Sequence, residues 1–195
     1  MLHSPETPLL RGKLVRLCAV DAETLSKGFH KWSSNSEYAR LLDSGPARPF
    51  SQKAIKGFIE KELQKDDPNL FFFAIRTIDG DRLIGETGFD GIRWNQADTF
   101  IGIGIGEQEF WGKGYGTEAM QLMLRFAFTE INLHRVSLTV FEYNERAIQS
   151  YLKCGFQHEG RWRQYILREG RRWDILEMGI LRETWMQAQE MEKNS

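Results

Sequence analysis

The chain has 195 residues and a mass of 22.7 kDa, the size of one domain with a self-sufficient core. Charged residues make up 27% and hydrophobic residues 41%, a globular composition that excludes disorder. Lysine and arginine total 26 against 27 acidic residues, a net charge of −1. That balance excludes the one-sign field needed for wholesale attraction to nucleic acid or a membrane surface.

In chain order, Met1-Leu2-His3-Ser4-Pro5-Glu6 lacks the basic start and apolar stretch of a signal peptide. Residues 1–8 are expected to be loose, and so are the last ten or so, within a C-terminal tail over 183–195. Leu14, Val15 and Leu17 after Gly12 predict an opening strand. Asp21 can cap a helix carrying Leu25, Phe29 and Trp32, and Ser51 can cap a second with Ile55, Phe58, Ile59 and Leu63 on one face. Asp66-Asp67-Pro68-Asn69 stops it.

Leu70 to Ile75 is the longest strictly apolar run and is far too short to cross a membrane. A strand over Leu70–Ile78, the Asp79-Gly80 turn and a strand over Leu83–Phe89 predict a hairpin. The next strand, Phe100–Gly106, alternates isoleucine with glycine. One face carries Ile101, Ile103 and Ile105; the other is bare at Gly102, Gly104 and Gly106. Glycine weakens a strand, so a bare face implies close approach of a ligand or another segment. Helix Thr117–Glu130, strand Val136–Phe141 and helix Asn144–Cys154 follow, the last capped by Asn144 and closed by Gly155. Strand-like runs over Trp162–Leu167 and Trp173–Leu181 complete an α/β (α+β) domain over residues 9–182. Cys18 and Cys154 fit neither a disulfide framework nor a zinc spacing, and no metal is expected.

Between the glycine-faced strand and the long helix lies Trp111-Gly112-Lys113-Gly114-Tyr115-Gly116-Thr117. Its glycines can aim several N–H groups one way, and the following helix adds unpaired donors and a positive dipole end. Such a turn suits a phosphate or pyrophosphate; the bland alternative is a helix-entry turn without a ligand. The P-loop pattern fails because Gly114 follows Lys113 where Ser or Thr is needed, and the dinucleotide fingerprint fails at Thr117.

The segments 112–119, Asn132-Leu133-His134-Arg135-Val136, Asn144-Glu145-Arg146-Ala147-Ile148 with Tyr151, and Gly155-Phe156-Gln157-His158-Glu159-Gly160 resemble the GNAT superfamily of N-acetyltransferases. The likeness points to the branch that acetylates ribosomal-protein N-termini and includes polyamine acetyltransferases. It implies a single domain with a mixed, mostly antiparallel sheet flanked by helices. It also implies direct acetyl transfer from acetyl-CoA to a primary amine, without an acyl-enzyme. By correspondence the pantetheine arm would bond Gly104, Ile105 and Gly106 like an added strand. The pyrophosphate would sit on Trp111, Gly112, Lys113, Gly114, Tyr115, Gly116 and Thr117. Trp111 stands where the family usually has Gln or Arg. Asn144 would touch pantetheine, and Tyr151 would be the acid that protonates the departing thiolate. The cofactor is expected in a V-shaped gap between the glycine strand and Val136–Phe141. The charge balance, the lack of a signal-peptide pattern and the two cysteines are expected of a soluble cytoplasmic protein, and a possible homodimer is a family-based expectation.

The expected acceptor is a protein or peptide N-terminus; a polyamine, amino sugar or antibiotic amine is the alternative, and a non-catalytic acyl-CoA sensor a further one. An α-amine of pKa ~8 is partly neutral at physiological pH, whereas an alkylamine of pKa ~10.4 must give up a proton at a cost of about 4 kcal/mol. Only the alkylamine strongly needs a base. Glu86, Glu107, Glu109 and a held water are the candidates. For each carboxylate the favoured alternative is a solvated or capping role. Five arginines near the last hairpin (Arg161, Arg163, Arg168, Arg171, Arg172), with His134 and Arg135, could meet phosphate or remain surface charge.

Overall fold

The opening strand forms where expected, as β1 (Val15–Ala19), in a computed structural model that describes residues 8–193 except positions 66 and 68. The expected loose start, apart from Pro8, therefore lies outside the described residues, as does part of the Asp66–Asn69 stop. Helix α1 (Ala22–Ser33) is capped by the Asp21 carboxylate, which accepts the Thr24 N–H at 2.8 Å. A short helix with no strong apolar period, α2 (Ser36–Leu42), was not anticipated; the Asn35 side chain caps it by accepting from Glu37 and Tyr38. Helix α3 (Gln52–Leu63) starts at Ser51 as expected, but its inward face is narrower. Ile59 is buried, whereas Phe58 and Leu63 are exposed, because α3 packs chiefly on α1 and its far side meets water.

Strands β2 (Phe72–Thr77) and β3 (Leu83–Arg93) form the expected hairpin, with Gly80 at φ +72° in its turn. Strand β4 (Asp98–Ile105) follows, and then α4 (Tyr115–Arg125), which widens into a π turn over Phe126–Glu130. Next come β5 (Arg135–Phe141), α5 (Glu145–Lys153), β6 (Gln157–Arg168) and β7 (Arg171–Leu181). The expected tail is instead a helix, α6 (Arg182–Lys193). Its polar composition hides one anchor: Trp185 is buried, its ring centroid 5.5 Å from that of Phe128.

The seven strands form one sheet in the order β1-β2-β3-β4-β5-β7-β6. Every neighbouring pair is antiparallel except β4–β5, which is parallel. One face is covered by the main core, in which Met120, Met123, Leu124 and Phe128 of α4 and its π turn are sealed from water. A smaller cluster of Leu25, Trp32, Tyr38 and Ile59 joins α1–α3. Burial of these side chains at roughly 1.5–3 kcal/mol each is what holds the helices to the sheet.

Two contacts position the glycine turn. Glu118, in the first turn of α4, accepts the backbone N–H groups of Lys13, Leu14 and Val15 at 2.9, 2.7 and 2.8 Å. It thereby fastens α4 to the start of β1, and a side chain on Gly12 would collide with that carboxylate. Thr117 and Ser150 join their hydroxyls at 2.7 Å, tying α4 to α5.

Candidate active site

Parallel pairing of β4 with β5 covers only Asp98↔Arg135, Thr99↔Val136 and Phe100↔Ser137. Beyond Phe100 the strands separate, and the space between them opens into a cleft of about 560 Å³. Its walls include Gly102–Ile105 of β4, Thr139–Phe141 of β5, the glycine turn, and Asn144 and Tyr151 of α5. The expected V-shaped gap is therefore present, and it joins strand to turn.

Most of the residues singled out for the cofactor line this cleft: Gly104, Ile105, Trp111, Gly112, Gly114, Gly116, Thr117, Asn144 and Tyr151. Lys113, Tyr115 and Gly106 do not line it. Tyr115 turns its ring edge-on to Phe110 with centroids 4.8 Å apart, and Lys113 stands exposed on the turn. Gly106 is bare for another reason: a side chain there would overlap the Trp32 indole, and its N–H donates to Ile84 at 2.8 Å. Backbone groups alternate sides along a strand, so Gly106 and Gly104 bond toward β3, while Ile103 and Ile105 face the gap. Ile103, which sequence reading missed, is thus better placed than Gly106 to bond an added strand.

The turn has the backbone that its sequence requires. Gly112 and Gly114 sit at φ +70° and +90°, conformations that glycine adopts without steric cost, and Gly114 caps α4. Trp111 at the place of the usual Gln or Arg does two jobs. Its indole Nε1 donates to the Ile105 carbonyl at 2.6 Å, pinning the end of β4 to the turn. Its ring face carries the Arg146 guanidinium, 3.9 Å from the centroid. Arg146 also lines the cleft, so a cation from α5 stands beside the glycine turn. Nothing in the sequence foretold that stack, since Trp111 and Arg146 lie on separate elements.

Asn144 keeps the structural role expected of a cap, accepting the Ala147 N–H through Oδ1 at 3.2 Å. Its amide NH2 is the group left to offer the cleft. Tyr151 stands two turns further along, half-buried, with its ring T-shaped to Phe156 at 5.9 Å. Burial, with a smaller contribution from nearby Cys154, pushes its phenol above the ordinary value. It therefore remains protonated across the physiological range, which is compatible with the acid role expected of it. Burial also pushes the Cys154 thiol up to about 12, so it holds almost no thiolate and is a poor nucleophile. Cys18 does not line the cleft.

Geometry separates the three candidate bases. Glu107 is held by Lys31 and Arg82 at 2.7 Å and by the Trp32 indole at 2.9 Å. Desolvation works to raise its pKa, but these donors and cations outweigh it and hold the carboxyl below its usual range. Glu109 pairs with Arg82 at 2.7 Å. Glu86 differs from both: it is buried, burial alone pushes its pKa to about 7, and it faces Gly104.

The cationic candidates are mostly committed to the fold. Arg135 binds Glu159 and the Ser137 hydroxyl at the opposite end of β5 from the cleft. Arg161 pairs with Asp174, Arg168 donates to the Asp43 and Gly45 carbonyls, and Arg171 covers Trp173. Among the described residues, no group of His, Cys, Asp and Glu could hold a metal ion, and no helix is long and apolar enough to cross a membrane.

The profile of the family described as Acetyltransferase (GNAT) domain matches residues 13–157. The chain belongs to that family. It is an acetyl-CoA-dependent N-acyltransferase. Among curated relatives it is 28% identical over 159 residues to the uncharacterized N-acetyltransferase YokL of Bacillus subtilis, covering 77% of this chain and 82% of that one. It is 33% identical over 110 residues to an uncharacterized N-acetyltransferase p20 of Bacillus licheniformis, 56% of this chain and 61% of that protein. It is also 33% identical over 82 residues to a spermidine N(1)-acetyltransferase of Vibrio cholerae, 42% of this chain and 47% of that one. The solved structure of spermidine N-acetyltransferase from Vibrio cholerae with CoA and spermine shares the fold. It superposes with a TM-score of 0.77 at 23% identity, over 88% of this chain and 98% of that one.

Proposed function

We propose that this GNAT enzyme acetylates a small primary amine of the polyamine type, in preference to a protein N-terminus. The observation that carries this reading is the match at 33% identity to spermidine N(1)-acetyltransferases of two species, Vibrio cholerae and Escherichia coli. The expected ribosomal-protein acceptor has no counterpart in those names. In this reading pantetheine lies along the Ile103–Ile105 edge of β4, and the pyrophosphate rests on the backbone N–H groups of 112–117 with Arg146 and Lys113 beside it. What supports that course is the early end of the β4–β5 pairing at Phe100↔Ser137, which leaves the β4 edge open where the arm would run.

Acetyl-CoA supplies the activated acyl group. The neutral amine nitrogen attacks the thioester carbonyl, the C–S bond breaks, and the thiolate takes the Tyr151 proton; the proton that the nitrogen sheds as the amide forms leaves to solvent, from which the Tyr151 phenolate is reprotonated. A phenol is useful here because the thiolate forms in the same desolvated cleft, which raises the thiol's own pKa alongside it. Thiol release should be followed with acetyl-CoA against spermidine, spermine, simple diamines and N-terminal peptides. Turnover with the polyamines that falls in Tyr151→Phe while acetyl-CoA affinity holds is the expected result. Turnover confined to peptides would return the acceptor to a protein N-terminus.

A further inference from the structure

The cleft carries opposite charges at its two ends. Among the described residues three charged side chains line it: Arg146 and Lys153, both on α5, and Asp90 on β3. Arg146 stacks on Trp111, and Ser150 ties α5 to Thr117, so the two cations belong to the end that holds the glycine turn. Asp90 pairs with Phe100, at the apex where β4 and β5 part. Its carbonyl accepts the Thr99 hydroxyl at 3.2 Å, which fixes its backbone. Its exposed carboxylate has no hydrogen-bond or ion-pair partner among the described residues. Two arginines of this region are already engaged: Arg93 by Asp98 at 2.8 Å and Arg135 by Glu159 at 2.9 Å.

Between the two ends the sheet is bare. Paired residues share a face, so Phe100, Gly102 and Gly104 look out on the same side as Asp90. Over Gly104 that side is filled from α2, with Leu42 and the Tyr38 hydroxyl each 3.1 Å from where a Cβ would stand. Over Gly102 a Cβ would meet nothing within 4 Å. The open floor is flanked by Leu42 and Phe100, large apolar side chains that are 39% and 40% exposed. Tyr38 closes the slot at the α2 end; it is 4% exposed, lines the cleft, and its hydroxyl has no partner among the described residues. A buried hydroxyl left unpaired and a carboxylate left unpaired thus face one apolar slot, an arrangement costly to keep unless a ligand completes it.

We infer that Asp90 binds a second cationic group of the acceptor, so that the enzyme selects an amine with a remote ammonium over a monoamine. The inference rests on the small-amine reading above and adds the feature by which that amine is chosen. With pantetheine along Ile103–Ile105 and the pyrophosphate beyond the end of the strand, the thioester falls toward Gly102. Asp90 lies two residues further along and one strand across, which sets the two nitrogens roughly 8 Å apart. The alkyl stem between them covers Leu42 and Phe100. Asp90 is a positioning residue: it holds the far end of the acceptor and exchanges no proton with the reacting nitrogen. The same polarity sends an anionic cofactor to one end of the cleft and a cationic acceptor to the other.

The test compares the best diamine or polyamine of the panel with its monoamine analogue, in which a methyl group replaces the remote ammonium. Wild type should prefer the first about fivefold in kcat/KM, beyond any advantage from having two equivalent ends, and salt at about 0.5 M should shrink that preference. Asp90→Asn should lower kcat/KM about fivefold for the diamine, chiefly through KM, and by less than about twofold for the monoamine. Acetyl-CoA affinity should be unchanged in both variants. Asp90→Lys should lower the diamine further and raise an analogue with a remote carboxylate about fivefold above its wild-type rate, a gain that a merely structural role would not give. Equal losses on diamine and monoamine, or no loss, would overturn the assignment while leaving the acetyltransferase reading intact. Should the variants fail to fold, a wild type that treats the two acceptors alike overturns it instead. Turnover by wild type of peptides but of no small amine would remove the reading beneath it, and the assignment with it.

Discussion

Glu118 offers the sharpest test of how the glycine turn is held. Its carboxylate accepts three successive N–H groups from Lys13, Leu14 and Val15, which fixes the first strand to the first turn of α4. Hydrogen bonds to a charged group contribute about 1.5–3 kcal/mol each when shielded, and much less where water can replace them. Lys13 and Leu14 are exposed, so their N–H groups can turn to water; Val15 is fully buried, and its N–H would lose its partner. Glu118→Ala is therefore expected to cost about 2–4 kcal/mol, lowering Tm by roughly 4–16 °C for a domain of this size. Glu118→Gln should cost about half as much, because the oxygen shared by Leu14 and Val15 can be kept by the amide carbonyl. Urea titration and thermal unfolding followed by circular dichroism would read both. A loss below about 1 kcal/mol for alanine, or equal losses for the two variants, would refute the account.

Trp111→Phe should keep a ring under Arg146 but lose the bond to the Ile105 carbonyl, weakening acetyl-CoA about fivefold by calorimetry; unchanged affinity would remove the indole from the cofactor site. Cys154→Ala should retain acetyl transfer within about twofold, and native Cys154 should resist iodoacetamide at about pH 8, since its thiol titrates near 12. Rapid labelling of Cys154 in the folded enzyme would contradict that. Glu23 is held down to about 2 by hydrogen bonds from Lys56 and Lys27, against an ordinary 4.5. A depressed folded-state value means that its contribution is complete above pH 4.5 and is lost as pH falls toward 2. The difference in unfolding midpoint between wild type and Glu23→Gln should shrink over that window.

The strand-and-helix alternation was readable because its apolar periods are strong: Ile101 against Gly102, Leu122 against Phe126, Val136 through Phe141. The caps Asp21, Ser51 and Asn144 were readable because short polar side chains ahead of an apolar period have few other uses. Helix α2 escaped because seven residues contain too few turns to show a period. Helix α6 escaped because one tryptophan and its neighbour do the anchoring within a polar segment. The glycine turn announced itself in sequence. The burial of Glu86 did not, since it depends on Tyr38 and Leu42 arriving from that same unforeseen helix. Gly104 and Gly106 looked alike as a bare strand face, yet one makes room for a carboxylate and the other for an indole.

Strand β7 lies between β5 and β6 although it is the last strand of the chain. During synthesis β5 must therefore wait with a bare edge while α5 and β6 emerge, since its partner from Arg171 to Leu181 has not yet been made. The side of the cleft formed by β5 is framed late for the same reason. A ribosome adding about 5–20 residues per second leaves that edge open for several seconds, long enough for contact with chaperones or with other nascent chains. The glycine turn is translated well before the strand that steadies the opposite wall of the cleft, so the cleft is complete only with the closing hairpin.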